Sequence, residues 1–341
     1  RRDVTATFPS MWRFFESYVG EACPARPTEK PKDEAGAELQ EETPPRAARS
    51  DGATASPEGY MQVFLPSSVA PAEPMCMAGC SIFDDQLLAR RAQYEEMVEG
   101  RLAVARAFAH QWFGCWIRPE ALHHCWLIDG LATLLMHVGG RQQLGRNEMK
   151  WRAHAVAQEV IAADDGSLPP LCMRHSGCGA AHPYANAGDW AAQGSDGMLS
   201  KKAGCVVLML ESWMGEESMR KVVQMLVRRA LSKGLQIGTE KFLETSVKVG
   251  GLLKDAVKLF EAKWVYGAGC PTCEIAYEYN LKRNVLEVAV HLSPPAMAAS
   301  TARSVANFIE VRPSASTCSA RALADATRRC AFWTPRPTGV C

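Results

Sequence analysis

The sequence predicts an α+β protein: a mainly helical body with a small sheet, followed by the start of a second, strand-rich domain. Three observations predict it. Two short runs of β-prone residues, 60–65 and 75–83, are bounded by proline and glycine. Apolar residues then recur at helical spacing from Asp85 to Trp264. After Trp264 they alternate with polar residues, which is the pattern of β-strands.

The first 58 residues divide into two parts. Residues 1–24 are a lead-in with one short helix, predicted because aromatic residues between Met11 and Tyr18 are spaced to bury one face. Residues 25–58 contain a single large aliphatic residue, Leu39, among Pro, Glu, Lys, Ala and Ser. No core would offset the entropy lost on ordering such a segment. We therefore expect a disordered insertion at 25–58.

Residues 59–264 are predicted to form the main domain. Its helical stripes fall in four segments: 87–112, 206–210, 219–230 and 239–250. Gly100 is a plausible break in the first stripe. Thr239 is predicted to cap the last helix, which ends at Gly250-Gly251. The Gly, Pro and Ser rich stretch 164–200 is expected to be a long surface loop.

The last part of the chain is predicted to contain a β-hairpin. Apolar and polar residues alternate in 275–279 and again in 285–290, on either side of a turn at 280–284. This hairpin belongs to a partial domain at 265–295. Residues 296–341, rich in Ala, Ser, Arg and Pro, receive no structural prediction. The chain starts at Arg1 rather than methionine, so we expect a fragment of a longer protein.

Composition limits the function classes. The chain has 38 basic and 37 acidic residues in 341, so the whole surface has no electrostatic preference for nucleic acid. The basic clusters at 220–221, 228–229 and 282–283 are interpreted as solvated charges. No apolar stretch approaches the length of a membrane span and no signal peptide is visible, which predicts a soluble protein without membrane contact. Thirteen scattered cysteines indicate reduced core thiols.

The most informative motif is H-Q-W-F-G, beginning at His110, followed by W-L-I-D-G, beginning at Trp126. In an H-E-x-x-H metallopeptidase, two histidines one turn apart hold Zn²⁺ and the glutamate activates water. In that register the first histidine is Arg106, the glutamate is Ala107 and the third ligand is Asp129. A guanidinium cannot be deprotonated and a methyl group cannot act as a base. The sequence therefore predicts no metal, no cofactor and no catalytic residue here.

The frame around these positions resembles the M1 family of zinc aminopeptidases, with its H-E-x-x-H-Q-W-F-G-N and W-L-N-E-G-F-A signatures. The resemblance implies a thermolysin-like domain at 59–264 and the start of a β-sandwich at 265–295. It also implies two further changes: Met77 stands where the family has the glutamate that grips the substrate's amino terminus, and Ser200 stands where a tyrosine stabilises the oxyanion. We therefore predict a degenerate pseudoenzyme.

Segments beginning at Tyr60, Ser81, His110 and Tyr277 are similar to the aminopeptidase-like family of TATA-binding-protein-associated factors in the transcription factor TFIID. The resemblance implies a nuclear, non-catalytic scaffold that contributes to core-promoter recognition and RNA polymerase II preinitiation complex assembly. The implied partners are other TFIID subunits, including TATA-binding protein, and core-promoter DNA within the complex. The alternative is a divergent M1 zinc aminopeptidase or another inactive relative of that family.

Two readings are open for the replaced zinc face. In one, the Arg106 guanidinium replaces the metal as counter-charge to Asp129, and the two side chains form an ion pair. In the other, Arg106 extends to solvent and Asp129 caps a helix or faces water. His110 is expected to remain from the ancestral metal site as a histidine whose ring is hydrogen-bonded within the protein. Trp112 and Phe113 are expected to be core residues.

Three other groups contain metal-ligand residue types. His123 and His124 point about 100° apart if they lie on a helix, so we expect them not to share an ion and at least one to be exposed. A small zinc knuckle and an unstructured cysteine loop are both open for the cluster of Cys172, His175, Cys178 and His182. The C-x-x-C from Cys270 to Cys273 is interpreted as a turn between domains rather than a redox or half-zinc site.

Overall fold

A computed structural model describes residues 8–23, 60–71, 74–88, 94–166, 168–173, 197–232, 234–270, 272–280, 285–293 and 309–311. This part of the chain is mainly helical and carries small sheets, in agreement with the predicted α+β class. The insertion expected at 25–58 lies outside the described residues. No helix of the described ranges is both long enough and apolar enough to cross a membrane.

The first helix, α1 (Phe8–Val19), buries the aromatic face that the sequence predicted. The Trp12 ring lies 4.8 Å from that of Trp112 and 5.3 Å from that of Phe108, measured between centroids. Such aromatic pairs contribute about 0.5–1.5 kcal/mol each beyond the burial of their area. They fasten the lead-in to the helix that carries the H-Q-W-F-G motif.

The predicted strands form a three-stranded sheet of β1 (Met61–Leu65), β2 (Met75–Met77) and β3 (Cys80–Asp84). The order is β1-β3-β2, with β1 parallel and β2 antiparallel to β3. The amide side chain of Gln111 holds the turn between β2 and β3: Gly79 N donates to its Oε1 at 2.9 Å, and its Nε2 donates to Met77 O at 3.1 Å. The glutamine of the motif thus fixes the sheet against the helical body.

The helical body consists of α2 (Tyr94–Trp112), α3 (Cys125–Gln143), α4 (Arg146–Ala163), α5 (Met198–Met214), α6 (Glu216–Ser232), α7 (Thr239–Gly250) and α8 (Lys254–Phe260). Helices α3 and α5 approach closely because both carry glycine at the crossing. A Cβ atom at Gly130 would lie 2.5 Å from Val207 Cγ2, and one at Gly204 would lie 2.6 Å from Thr133 Cγ2. The close crossing brings Asp129 on α3 and Ser200 on α5 near each other, and both contact Arg106.

Two of the predicted helical segments are confirmed with their buried faces. The apolar run 206–210 lies in α5, where four of its five residues are buried. The stripe on α6 is buried at each position that the sequence marked: Met219, Val222, Val223, Leu226 and Ala230. Helix α7 ends before Gly251, whose φ of +64° suits a glycine, as predicted.

Three local predictions are wrong. Gly100 does not break α2; it lies inside the helix, where a Cβ would come 2.6 Å from the Leu87 carbonyl oxygen. Thr239 does not cap α7, because it is the first helical residue and its hydroxyl bonds elsewhere. The 164–200 stretch is not all surface loop, since Leu171 and Cys172 are buried and α5 begins at Met198.

A short parallel pair is formed by β4 (Arg118–Pro119) and β5 (Gln236–Ile237). The predicted hairpin is confirmed by β6 (Thr272–Asn280) and β7 (Val285–Ser293), which pair antiparallel over nine residues each. Its turn, 281–284, lies outside the described residues. A short strand, β8 (Ile309–Val311), pairs antiparallel with β7. No structure was predicted for that segment, which adds a third strand to the sheet.

Candidate functional site

Arg106 lies where the positions singled out in the sequence meet. Its Nη2 is 3.8 Å from Asp129 Oδ1 and donates a hydrogen bond to Ser200 Oγ at 2.5 Å. These side chains come from α2, α3 and α5, and Arg106 and Ser200 are 94 positions apart in the chain. The predicted ion pair between Arg106 and Asp129 is confirmed, and the alternative in which Asp129 faces water is wrong.

Burial differs between the two members of this ion pair. The Asp129 side chain is 6% exposed and that of Arg106 is 28% exposed. Taking a carboxylate out of water is costly unless a counter-charge and hydrogen bonds replace its hydration. Arg106 supplies that counter-charge from the edge of the core, with a permanently charged guanidinium.

His110 lies one turn after Arg106 on α2 and is buried. Its Nδ1 is 3.1 Å from the Phe113 carbonyl oxygen, which can only accept, so Nδ1 carries the proton. Burial, reinforced by the Arg106 charge, lowers the pKa of His110 to about 3. The imidazole is therefore neutral at physiological pH, as expected of a satisfied histidine.

The remaining predicted positions are Ala107, on α2, and Met77, at the end of β2. Ala107 is buried and presents a methyl group where the resemblance has a general base. Met77 ends β2 with its side chain 44% exposed, and its contact with α2 is made by the backbone carbonyl. Beside it, burial raises the pKa of Cys76 to about 11 although the Arg106 charge opposes this shift.

The residues of this cluster do not fit a zinc ion. A zinc site needs at least three protein ligands, and a guanidinium carries hydrogen-bond donors only. Arg106 directs those donors at Asp129 and Ser200, so a second cation there would face a fixed positive charge. The arrangement can hold a carboxylate and order three helices, and Ala107 places a methyl group where the resemblance has the water-activating glutamate.

A second group of ligand types, which the sequence reasoning misjudged, lies just before α3. His123 and His124 stand on a 3₁₀ turn, Leu122–His124, with ring centroids 4.0 Å apart. One ligand atom from each histidine and the Cys172 sulfur all lie within 4.8 Å of one another. The expectation that the two imidazoles diverge is wrong: the rings lie side by side, although consecutive residues of a 3₁₀ turn project about 120° apart. Of the suggested knuckle, Cys172 is described; 174–196, with the other three residues, is not.

A buried ion pair was also missed. Lys202 Nζ lies 2.5 Å from Asp164 Oδ2, and the two side chains are 2% and 0% exposed. Cys270 Sγ donates to the same carboxylate oxygen at 3.7 Å, and burial together with Asp164 raises the pKa of that thiol to about 12. Charged residues on a predicted helix and loop gave no sign of burial, because sequence alone does not reveal a partner 38 positions away.

Similarity to known proteins was found by sequence, although no family model matches the chain. Over 217 residues it is 23% identical to transcription initiation factor TFIID subunit 2 of Schizosaccharomyces pombe, and over 238 residues 24% identical to that of Saccharomyces cerevisiae. The protein of the same name from Drosophila melanogaster is 26% identical over 262 residues. The chain is similar to TFIID subunit 2.

The matched regions cover 61% of the chain for the S. pombe protein and 68% for each of the other two. They cover 17%, 16% and 21% of the respective TFIID subunit 2 proteins. The chain thus spans about a fifth of the length of the curated relatives that it matches. The similarity to TFIID subunit 2 extends across fungal and animal proteins, which agrees with the resemblance read from the motifs.

Proposed function

We propose that this chain is part of a non-catalytic subunit of the TFIID type, which acts in the nucleus as a scaffold in transcription initiation. Its role would be core-promoter recognition and assembly of the RNA polymerase II preinitiation complex. The similarity to TFIID subunit 2 supports membership in such a complex. A scaffold requires folded surfaces and no reactive group, which fits the guanidinium of Arg106 and the methyl group of Ala107 at two of the replaced positions.

We further infer that residues 59–264 are a degenerate M1-type peptidase domain. The observation that carries this inference is the contact of Arg106 with Asp129 and Ser200. The resemblance equates these positions with two zinc ligands and an oxyanion-stabilising tyrosine, which must converge in an active enzyme. Their convergence supports the register in which the signature was read. The hairpin at 265–295 then corresponds to the start of a β-sandwich.

The partners we propose are other TFIID subunits, including TATA-binding protein, and core-promoter DNA within the complex. The near-neutral balance of charge favours protein contacts over direct binding of phosphates by this chain. One of the basic clusters also has an internal role. Arg220 Nη2 donates to the Ser17 carbonyl oxygen at 2.9 Å, and the guanidinium lies 5.8 Å from the centroid of the Tyr18 ring.

Co-purification tests the proposal. The tagged 341-residue chain is purified from nuclear extract and probed for TATA-binding protein and its associated factors. We expect these proteins to co-purify, and we expect the same for His110→Gln and Asp129→Asn, because a scaffold does not use those side chains chemically. Circular dichroism confirms that both variants are folded.

The alternative, a divergent M1 zinc aminopeptidase, predicts a different result. An aminoacyl reporter would then be hydrolysed, and either substitution would abolish the hydrolysis because His110 and Asp129 would be zinc ligands. Such activity without co-purification of TATA-binding protein would overturn the proposed function. Zinc content alone does not decide, since other residues of the chain offer metal ligands.

A further inference from the structure

The cluster of His123, His124 and Cys172 lies outside every position of the peptidase signature. Two of its members, His124 and Cys172, are buried, with 5% and 1% of their surface exposed. In tetrahedral zinc sites with Zn–N near 2.1 Å and Zn–S near 2.3 Å, ligand atoms are about 3.3–3.7 Å apart. The three ligand atoms here are all within 4.8 Å of one another, so closure around an ion needs shifts of about 1 Å.

Thr239 supplies the hydrogen bonds that orient two of these side chains. Its Oγ1 lies 2.8 Å from His124 Nδ1, accepts from Trp126 Nε1 at 3.0 Å, and donates to Cys172 Sγ at 3.9 Å. Donation to sulfur leaves the hydroxyl able to accept a proton from His124 Nδ1, and in that tautomer Nε2 has the free lone pair. Histidines that bind metals are held in this way through the other ring nitrogen.

The Thr239 backbone amide also points at His124 Nδ1, at 3.2 Å, which stabilises the other neutral tautomer. The hydroxyl contact, at 2.8 Å, is the shorter of the two. Binding of an ion at Nε2 therefore requires the tautomer with the proton on Nδ1, which donates to the Thr239 hydroxyl and no longer accepts from the Thr239 amide.

Backbone contacts hold the three segments in place. Cys172 N donates to the Val265 carbonyl oxygen at 3.0 Å, which fixes the cysteine against the turn after α8. The short parallel pair β4 (Arg118–Pro119) and β5 (Gln236–Ile237) brings the chain before His123 alongside the chain before Thr239. His124 and Thr239, 115 positions apart in the chain, are thus brought together beside Cys172.

A fourth ligand is available at the surface. Glu240 Oε2 lies 3.8 Å from His124 Nε2, the Glu240 side chain is 55% exposed, and its other oxygen, Oε1, accepts from the Tyr266 hydroxyl at 3.5 Å. Its carboxylate, or a water molecule, completes four-coordination. One thiolate with two imidazoles and an oxygen is a ligand set that favours zinc over the harder ions Mg²⁺ and Ca²⁺.

We propose that His123, His124 and Cys172 form a site for a zinc-type divalent ion, with Glu240 or water as the fourth ligand. The ion joins the 3₁₀ turn before α3, the segment at 171–172 and the start of α7. This role is independent of the proposed scaffold function and of the replaced zinc face at Arg106.

Cobalt substitution tests the site. The 341-residue chain is stripped with a chelator under reducing conditions and titrated with Co²⁺. We expect tetrahedral d–d absorption and a thiolate-to-cobalt charge-transfer band that saturate at one equivalent and disappear when Zn²⁺ is added. His123→Asn and Cys172→Ser should each weaken metal affinity by more than about 10-fold, and Cys172→Ser should remove the charge-transfer band.

Two substitutions serve as matched controls. His154→Asn on α4 and Cys205→Ser on α5 remove the same residue types elsewhere and should leave the titration unchanged. Circular dichroism establishes whether each variant is folded. If Cys172→Ser does not fold, His123→Asn decides the test, because the His123 side chain is only half-buried. Absence of the tetrahedral spectrum in the wild-type chain, or an unchanged affinity for Co²⁺ in folded His123→Asn, would overturn the proposal.

Discussion

Arg106 Nη2 lies 3.8 Å from Asp129 Oδ1 and so ties α2 to α3 across the face where the M1 resemblance places the metal. The same guanidinium reaches Ser200 on α5. A residue that cannot bind a metal thus holds together the positions that the resemblance assigns to metal ligation and oxyanion binding. The stability of this cluster, and not its reactivity, is what substitutions should change.

Loss of Arg106 should destabilise the fold. In Arg106→Met the Asp129 carboxylate stays buried without its counter-charge, and we expect the free energy of unfolding to fall by about 1–3 kcal/mol. Adding Asp129→Asn should recover part of the loss, because no buried charge is then left unpaired. Urea unfolding of both single variants and the double variant measures the coupling. Strictly additive effects would show that the two side chains do not interact.

Acid should destabilise the protein through its buried histidines. The pKa of His110 falls from 6.5 to about 3 on folding, and that of buried His137 falls to about 4. Above pH 6.5 both histidines are neutral in the folded and in the unfolded chain, and the stability of the fold is not reduced. As the pH falls below 6.5, only the unfolded chain binds the protons, so the free energy of unfolding decreases. Each histidine changes the free energy of unfolding by up to about 1.4 kcal/mol per pH unit.

Replacement of the histidine tests this pH dependence. His110→Gln should unfold with a shallower dependence on pH between 6.5 and 4 than the wild-type chain. Chemical unfolding at a series of pH values measures the two slopes. Equal slopes for the variant and the wild-type chain would contradict the burial of a neutral imidazole at this position.

Arg141 on α3 should be sensitive to conservative replacement. Its guanidinium donates two hydrogen bonds, of 2.7 and 2.6 Å, to the carboxylate of Glu211 on α5, and the Glu211 side chain is 4% exposed. We expect Arg141→Lys to cost about 1–2 kcal/mol, because lysine cannot form the fork, and Arg141→Met to cost about 3 kcal/mol or more. Arg146→Met, at an exposed pair, should cost less than about 1 kcal/mol. A similar decrease in the free energy of unfolding in all three variants would contradict a special role for the two hydrogen bonds between Arg141 and Glu211.

Gly100 should not tolerate a side chain. A Cβ there would lie 2.6 Å from the Leu87 carbonyl oxygen. We expect Gly100→Ala to lower the free energy of unfolding by about 1–3 kcal/mol, although alanine favours helices by about 1 kcal/mol. Gly140→Ala is the matched control, because the new methyl group meets the flexible end of Met149. Thermal unfolding compares the two, and a stabilised Gly100→Ala would refute the close contact.

The sequence predicted the parts of the fold whose signal is local. The stripe from Met219 to Ala230 is a continuous apolar face, and the alternation at 275–279 is a strand pattern. Each depends on neighbours a few positions away. The pairing of Arg106 with Asp129 was predictable for a different reason: the register of a known motif assigned both residues to one site before any contact was seen.

Other features depend on what packs against a residue. The sequence around Gly100 is typical of a helix break, and only the fold shows that the Leu87 carbonyl packs against this glycine. Thr239 is typical of a helix cap, and only the fold shows that its hydroxyl bonds to Trp126 and His124. Lys202 and Asp164 have the sequence pattern of surface charges, because the ion pair that makes their burial possible is formed between distant positions of the chain. Tertiary contacts of this kind have no periodicity along the chain, so local patterns do not indicate them.

Restoring the zinc signature is the most direct test of whether Arg106 occupies a former metal position. Arg106→His, Ala107→Glu and Asp129→Glu are combined in a Cys172→Ser background, which removes the second site, and zinc is measured after dialysis. The folded variant should hold about one equivalent of zinc that the background protein lacks, and His110→Gln should release it. A folded variant with no gain of zinc would contradict the assignment of Arg106 to the metal face.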